Sequence, residues 1–232
     1  MLALGIDTSS QAGSVGLADD TGLHAELNLS SGHTHSRRLL PSVQSLLEAA
    51  GVKLGDLDLL AVAVGPGSFT GLRIGMATAK GLAMALERPL IGFSTLETIA
   101  LAVSRGLPPD SAGLPPIGVM LEAGRGEVYR GLFRADGERI EPMMAEAAVT
   151  PERAAEGLPE RCVLCGDGAR ALAARQPAVA ASRVVLHGPT PFIGATLARR
   201  ALDAAARGGL ESLPPLTPNY LRLSDAEMTF KG

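Results

Sequence analysis

Three short clusters carry the residue types from which phosphate chemistry is built. Asp7-Thr8-Ser9-Ser10 places a carboxylate and three hydroxyls directly after the apolar run 2–6, where a carboxylate needs a partner or a ligand. Such a hairpin tip can hold a phosphate or a metal-bound nucleotide, and ordinary turn capping is the alternative. Gly65-Pro66-Gly67 follows the apolar run 57–64, and Ser68 or Thr70 can cap a helix there and leave N–H groups facing an anion. It is not a Walker loop, because no Lys-Ser/Thr follows Gly71. It also misses G-x-G-x-x-G, because Thr70 stands where the third glycine belongs. A tight turn with a good cap explains it equally well. Gly166-Asp167-Gly168 repeats the arrangement after Val163–Cys165.

The other reactive residues point to no chemistry. Cys162 and Cys165 form a single C-x-x-C without a second pair or a nearby histidine, and in a strand residues three apart face opposite sides, so buried structural thiols are expected. Two cysteines also fit a reducing compartment. His33 and His35 read as exposed loop residues, and His187 as a satisfied edge residue. No metal site is expected: a zinc peptidase needs three ligands and a base, which His24, His33, His35 and His187 do not supply at any suitable spacing.

The elements that position these clusters are alternating strands and helices. Residues 2–30 read as a three-stranded meander with turns at 9–13 and 19–22. A helical stripe of Leu39, Leu40, Val43, Leu46, Leu47 and Ala50 runs over 36–50, interrupted by Pro41 and ended by Gly51. A strand over 57–64 leads through the glycine turn into a helix reaching Leu86. On that helix Gly71, Gly75, Ala79 and Ala83 recur every four residues, a flat groove rimmed by Phe69, Leu72, Met76 and Leu86. Two glycines inside a helix cost about 1 kcal/mol each relative to alanine, so close packing must offset them. The spacing leaves open whether the neighbour is the chain's own sheet or another subunit. A strand at 89–94 and a helix to about Ser104 complete the half.

The Pro/Gly-rich segment 106–116 marks a domain boundary, giving domains at 1–108 and 109–232, with the last helix and tail packing back on the first. The second half repeats the first. Setting Asp7 against Glu122 aligns Gly16 with Gly131, Leu17 with Leu132 and Gly22 with Gly137, and VLCGDG at 163–168 mirrors VAVGPG at 62–67. A third strand at 139–149, a helix over 151–157, a strand at 183–188 and a helix over 191–207 follow. With 46% apolar residues in 232, only 3% aromatic, the chain buries aliphatic cores. Its net charge of −3 and the absence of a basic aromatic platform argue against direct RNA binding. No signal segment or apolar run of membrane-spanning length is present, so a soluble cytoplasmic protein is expected.

Two tandem α/β units of β-β-β-α-β-α order resemble the actin-like/ribonuclease H-like architecture. Within them GIDTSS at 5–10, GPGSFTGLRIG at 65–75, RGEVY at 125–129, GDG at 166–168 and YLR at 220–222 resemble the TsaB/YeaZ family over essentially the whole chain. The resemblance implies a non-catalytic subunit of the machinery that makes threonylcarbamoyladenosine beside the tRNA anticodon. It implies pairing with the catalytic relative TsaD through the first two helices, TsaE joining the pair, tRNA met only through the complex, and a homodimer in isolation. The pairing surface would then be the stripe Leu39, Val43, Leu46, Leu47 with the groove Gly71, Gly75, Ala79 and its rim Leu72, Met76. No cofactor is required. Weak ATP or ADP contacts would fall on Asp7, Thr8, Ser9, Gly65, Gly67, Gly166, Asp167 and Gly168, and in the rival reading, an actin-fold ATPase or small-molecule kinase, the same residues hold the nucleotide. Where many members have Asp-Ala-Arg-Arg before Gly-Glu-Val-Tyr, this chain has Glu122-Ala123-Gly124-Arg125, which weakens that loop as an anion grip.

Overall fold

The computed structural model describes residues 1–29, 35–108, 113–136, 139–181, 183–186, 189–208 and 216–222. The chain divides into two units, Met1–Thr98 with Phe192–Asn219, and Ile99–Pro191 with Tyr220–Gly232. The division thus falls between Thr98 and Ile99, near the expected boundary at 108, and Phe192–Asn219, which holds the last helix and the start of the tail, groups with the first unit.

In the first unit β1 (Leu2–Asp7), β2 (Gly13–Asp19) and β3 (Gly22–Leu29) form an antiparallel meander, and β4 (Leu59–Gly65) and β5 (Leu90–Ser94) extend it in parallel, in the order β3-β2-β1-β4-β5. Alternation along β1 sends Leu4 and Ile6 into the core covered by α1 (His35–Ala50) and α2 (Phe69–Leu86). Its opposite face meets α6 (Gly194–Ala206). Gly5 and Gly16 are cross-strand partners, and a Cβ on either would overlap the backbone of Gly194 or Ala195, so only glycine admits α6 at this distance. The first amides of α6 are also tied down: Ile193 and Gly194 donate to Ser14 Oγ at 3.3 and 2.9 Å, and Ala195 to Glu26 Oε1 at 3.0 Å. Pro41 lies inside α1, which starts at His35 and runs through it; His35, expected in a loop, is thus the first residue of the helix. α3 (Thr95–Ser104) starts on a Ser94 cap, whose Oγ accepts from Glu97 N at 3.2 Å.

The second sheet contains β6 (Ile117–Gly124), β7 (Glu127–Asp136), β8 (Arg139–Val149), β9 (Val163–Cys165) and β10 (Val184–Val185) in the order β10-β9-β6-β7-β8. Renumbered from its own first strand this is the order of the first sheet, with the same antiparallel and parallel pairings, so the duplication read from glycine spacing is a duplication of topology. The helices are α4 (Asp167–Arg175) and the single turn α5 (Pro177–Ala180). A helix expected over 151–157 is instead a 3-10 turn at Pro151–Arg153. The carbonyls of Arg153, Ala154 and Glu156 accept from Arg130 Nη1 at 2.8, 3.0 and 2.6 Å, which pins this segment to β7. Of the expected strand at 183–188, Val184–Val185 form β10, and residues 187–188 lie outside the described residues. His33 and His187 lie outside the described residues. No described helix is long and apolar enough to cross a membrane.

Candidate functional site

The glycine turn at the carboxyl end of β4 meets the loop that leaves β1. Ser68 is the N-cap of α2, its Oγ accepting from Gly71 N at 3.2 Å, and Ser68 N donates to Ser9 O at 2.6 Å. Thr8 Oγ1 donates to Gly71 O at 2.7 Å, and Asp7 Oδ1 accepts from Ser9 N at 2.9 Å. A Cβ on Gly67 would overlap Ser9 O, one on Gly71 would overlap Thr8 O, and one on Gly75 would overlap Thr8 Oγ1. The groove along α2 is therefore filled by the chain's own Thr8-Ser9 backbone and side chains.

The residues expected to form the pairing surface lie inside the first unit. Leu72, Met76 and Ala79 are buried, as are Leu39, Val43, Leu46 and Leu47, and all except Leu72 belong to one core with Leu4, Ile6, Val15, Leu60 and Val62 of the sheet. An isolated sheet face must be covered, and the apolar stripes of α1 and α2 cover it.

The turn is roofed as well. Asn219 N donates to Val64 O at 2.7 Å, and its own carbonyl would stand 2.7 Å from a Cβ on Gly65, whose φ is 114°. Leu216 packs into the same core, and its carbonyl accepts from Lys80 Nζ at 3.1 Å. The tail at 216–219 has no periodicity by which sequence reasoning could have placed it here.

The second unit repeats the device with different atoms. A Cβ on Gly166 would overlap Met120 O in the middle of β6, and one on Gly168 would stand 3.0 Å from the Met120 carbonyl carbon. Asp167 Oδ1 accepts from Glu122 N at 3.0 Å and from Gly168 N at 2.9 Å, tying the end of β6 to the start of α4. Within each unit, then, the candidate nucleotide residues come together, Asp7, Thr8, Ser9, Gly65 and Gly67 in the first and Gly166, Asp167 and Gly168 in the second. Two motifs also join: Arg222 of YLR pairs with Glu127 of RGEVY, Nε to Oε2 at 3.0 Å, and donates from Nη1 to Ala123 O at 2.7 Å. Cys162 and Cys165 are both buried free thiols. Burial pushes both thiols up, Cys165 to about 12, so neither is a nucleophile at neutral pH. Among the described residues no three His, Cys, Asp or Glu gather where a metal ion could sit.

Comparison with known proteins places this geometry. The family model described as TsaD, tRNA N6-adenosine threonylcarbamoyltransferase, matches residues 29–225. The tRNA threonylcarbamoyladenosine biosynthesis protein TsaB of Bacillus subtilis (strain 168) is 32% identical over 235 residues, 98% of this chain and 96% of its own length. The chain belongs to the TsaB/YeaZ family. TsaB of Escherichia coli (strain K12) is 39% identical over 153 residues, a match covering 66% of this chain and 64% of that protein. The solved structure of YeaZ from Pseudomonas aeruginosa superposes with a TM-score of 0.75 at 29% identity, covering 95% of this chain and 99% of that one.

For a TsaB/YeaZ chain the first two helices remain of interest, but by their other side. α1 and α2 lie side by side, and their solvent face presents Leu40, 53% exposed, and Met84, 80% exposed. Ala77, Gly81 and Ala85, four apart, are exposed on α2, and among the described residues nothing lies within 4 Å of a Cβ built on Gly81. The helix thus has two small-residue rows, one spent on Thr8 and Ser9, the other open.

Proposed function

We propose that this chain is the non-catalytic adaptor of threonylcarbamoyladenosine synthesis at the tRNA adenosine beside the anticodon, binding and stabilising a TsaD homologue in the cytoplasm. The docking surface is the outward face of α1 and α2, centred on Leu40, Ala77, Gly81 and Met84. A TsaE homologue joins the pair, tRNA is met through the complex, and the same face serves self-association when the partner is absent. The observation that carries this reading is the exposure of Met84 and Gly81 on a helix whose other side is fully used within the chain. Large apolar side chains exposed around a flat small-residue row mark an interaction site.

The engagement of Thr8, Ser9 and Asp167 in bonds that hold loop to helix supports a chain that does not depend on a nucleotide. Phosphoryl transfer needs carboxylates free to hold metal and a positioned base. The rival reading, an ATP-hydrolysing enzyme, predicts micromolar ATP-magnesium binding with turnover by the isolated chain in calorimetry, and the adaptor predicts weak binding and none.

The direct test is Met84→Asp. Titrated against the TsaD homologue of the same genome, the variant should bind at least about tenfold more weakly, because a central anchor becomes a buried charge, with its thermal midpoint within about 1 °C of the parent. Unchanged affinity would remove α2 from the docking surface.

A further inference from the structure

α2 is fixed unevenly along its length. Its first half is tied by directional contacts: the Ser68 cap, the bond from Thr8 Oγ1 to Gly71 O, and the close fit of Gly71 and Gly75 on Thr8. From Met76 onward the buried residues are Met76, Ala79 and Ala83, and apolar packing holds a helix without fixing its azimuth or slide. The outward residues Ala77, Gly81 and Met84 all lie in this second half. A directional contact there is Lys80 Nζ, which donates to Leu216 O at 3.1 Å. Lys80 stands three residues after Ala77 and four before Met84, so this bond grips α2 beside both.

The segment 216–219, part of the first unit, is itself firmly seated. Leu216 packs against the core of α1, α2 and the sheet, in room that glycine at position 92 leaves open: a Cβ there would overlap Leu216 Cδ1. Three residues on, Asn219 N bonds to Val64 O at 2.7 Å, and Asn219 O lies 2.7 Å from where a Cβ on Gly65 would be. The Leu216 carbonyl is thus held from both sides, against β5 by its own side chain and on β4 through Asn219. We infer, resting on the reading of the α1–α2 face as the docking surface, that 216–219 is a strap that positions the second half of α2 for its partner. Leu216 and Asn219 are positioning residues, acting on the face through Lys80. A helix held in its bound orientation loses less freedom on association, so loosening the strap should lower affinity without altering any residue of the face.

Leu216→Ala in the full chain withdraws the side-chain anchor, and Asn219→Pro removes the amide that bonds to Val64 O. Ser14→Ala, which frees the Ile193 and Gly194 amides at the start of α6, is a destabilised control away from the strap. Hydrogen exchange and titration against the TsaD homologue are read on each. In Leu216→Ala and Asn219→Pro the amides of 77–86 should exchange at least about tenfold faster while those of α6 keep the parent rate, and the TsaD homologue should bind at least about fivefold more weakly. Leu216→Met, of similar volume, should restore both. Ser14→Ala should keep the parent affinity to within about twofold. Parent affinity in the two strap variants despite faster exchange in α2 overturns the inference, and so does unchanged exchange in α2. Equal weakening by Ser14→Ala also overturns it, since the loss would then follow general stability and not the placing of α2. If the parent itself does not bind the TsaD homologue, the adaptor reading falls, and the positioning of α2 by the strap stands or falls on the exchange data alone.

Discussion

Gly75 and Gly81 stand six residues apart in one helix and should respond to the same substitution with opposite signs. Alanine at either position gains about 1 kcal/mol of helix propensity. At Gly81 none of the described residues lies within 4 Å of the added methyl, so the gain survives and Gly81→Ala is more stable than the parent by about 1 kcal/mol. At Gly75 the methyl overlaps Thr8 Oγ1, a buried β-branched side chain that is already donating to Gly71 O at 2.7 Å. Overpacking costs about 1–3 kcal/mol, and turning Thr8 away forfeits about 1 kcal/mol more for its hydrogen bond. Set against the propensity gain, Gly75→Ala is destabilised by about 2 kcal/mol, and the two variants differ by about 3 kcal/mol. In a chain of this size 1 kcal/mol moves the midpoint by about 2–4 °C, so their melting curves should stand about 6–12 °C apart. Thermal unfolding followed by circular dichroism reads this directly. Thr8→Ala added to Gly75→Ala should return about 1–2 kcal/mol through relief of the overlap, a coupling absent with Gly81→Ala. A Gly75→Ala midpoint at or above that of Gly81→Ala would refute the claim that Thr8 fills the groove.

Ser14→Ala removes the acceptor of the Ile193 and Gly194 amides and should cost about 1–2 kcal/mol, read as lower urea resistance and faster hydrogen exchange in α6. Arg222→Ala loses the Glu127 ion pair and the Ala123 carbonyl bond, and should cost about 1.5–3 kcal/mol locally, seen as faster proteolysis of the β6–β7 hairpin. Cys165, with its thiol pushed up to about 12, should resist a thiol-specific dye at pH 8 until the chain is unfolded in denaturant. Its folded pKa lies above the unfolded 9.0, so its contribution to stability is complete below about pH 9 and lost as pH rises toward 12, and Cys165→Ala should flatten the alkaline decline of the midpoint.

Strands, glycine turns and the helix over α2 were legible because each depends on neighbours within a few residues: alternation along β1, the Ser68 cap, the small-residue row. The duplication was legible because the glycines recur in the same order. What failed was non-local. The carbonyls of Arg153, Ala154 and Glu156, at and after the turn at Pro151–Arg153, are held by a guanidinium on β7, and no local pattern there announces Arg130. The row Gly71-Gly75 signalled close approach correctly, yet spacing states how near a neighbour comes and not which one it is. The occupant, Thr8, lies 63 residues back from Gly71. The same logic explains why the richest apolar stripe lies in the core. A folding chain covers its own sheet first, with its most apolar helix faces, so those residues are spent before any companion arrives. A surface kept for a companion must be less apolar than the core, or the unpaired chain would aggregate through it. The surface proposed here for a companion leaves a fainter mark in sequence, one methionine, one leucine and a second row of small residues, and only the exposure of Met84 and Leu40 sets it apart from ordinary solvated helix.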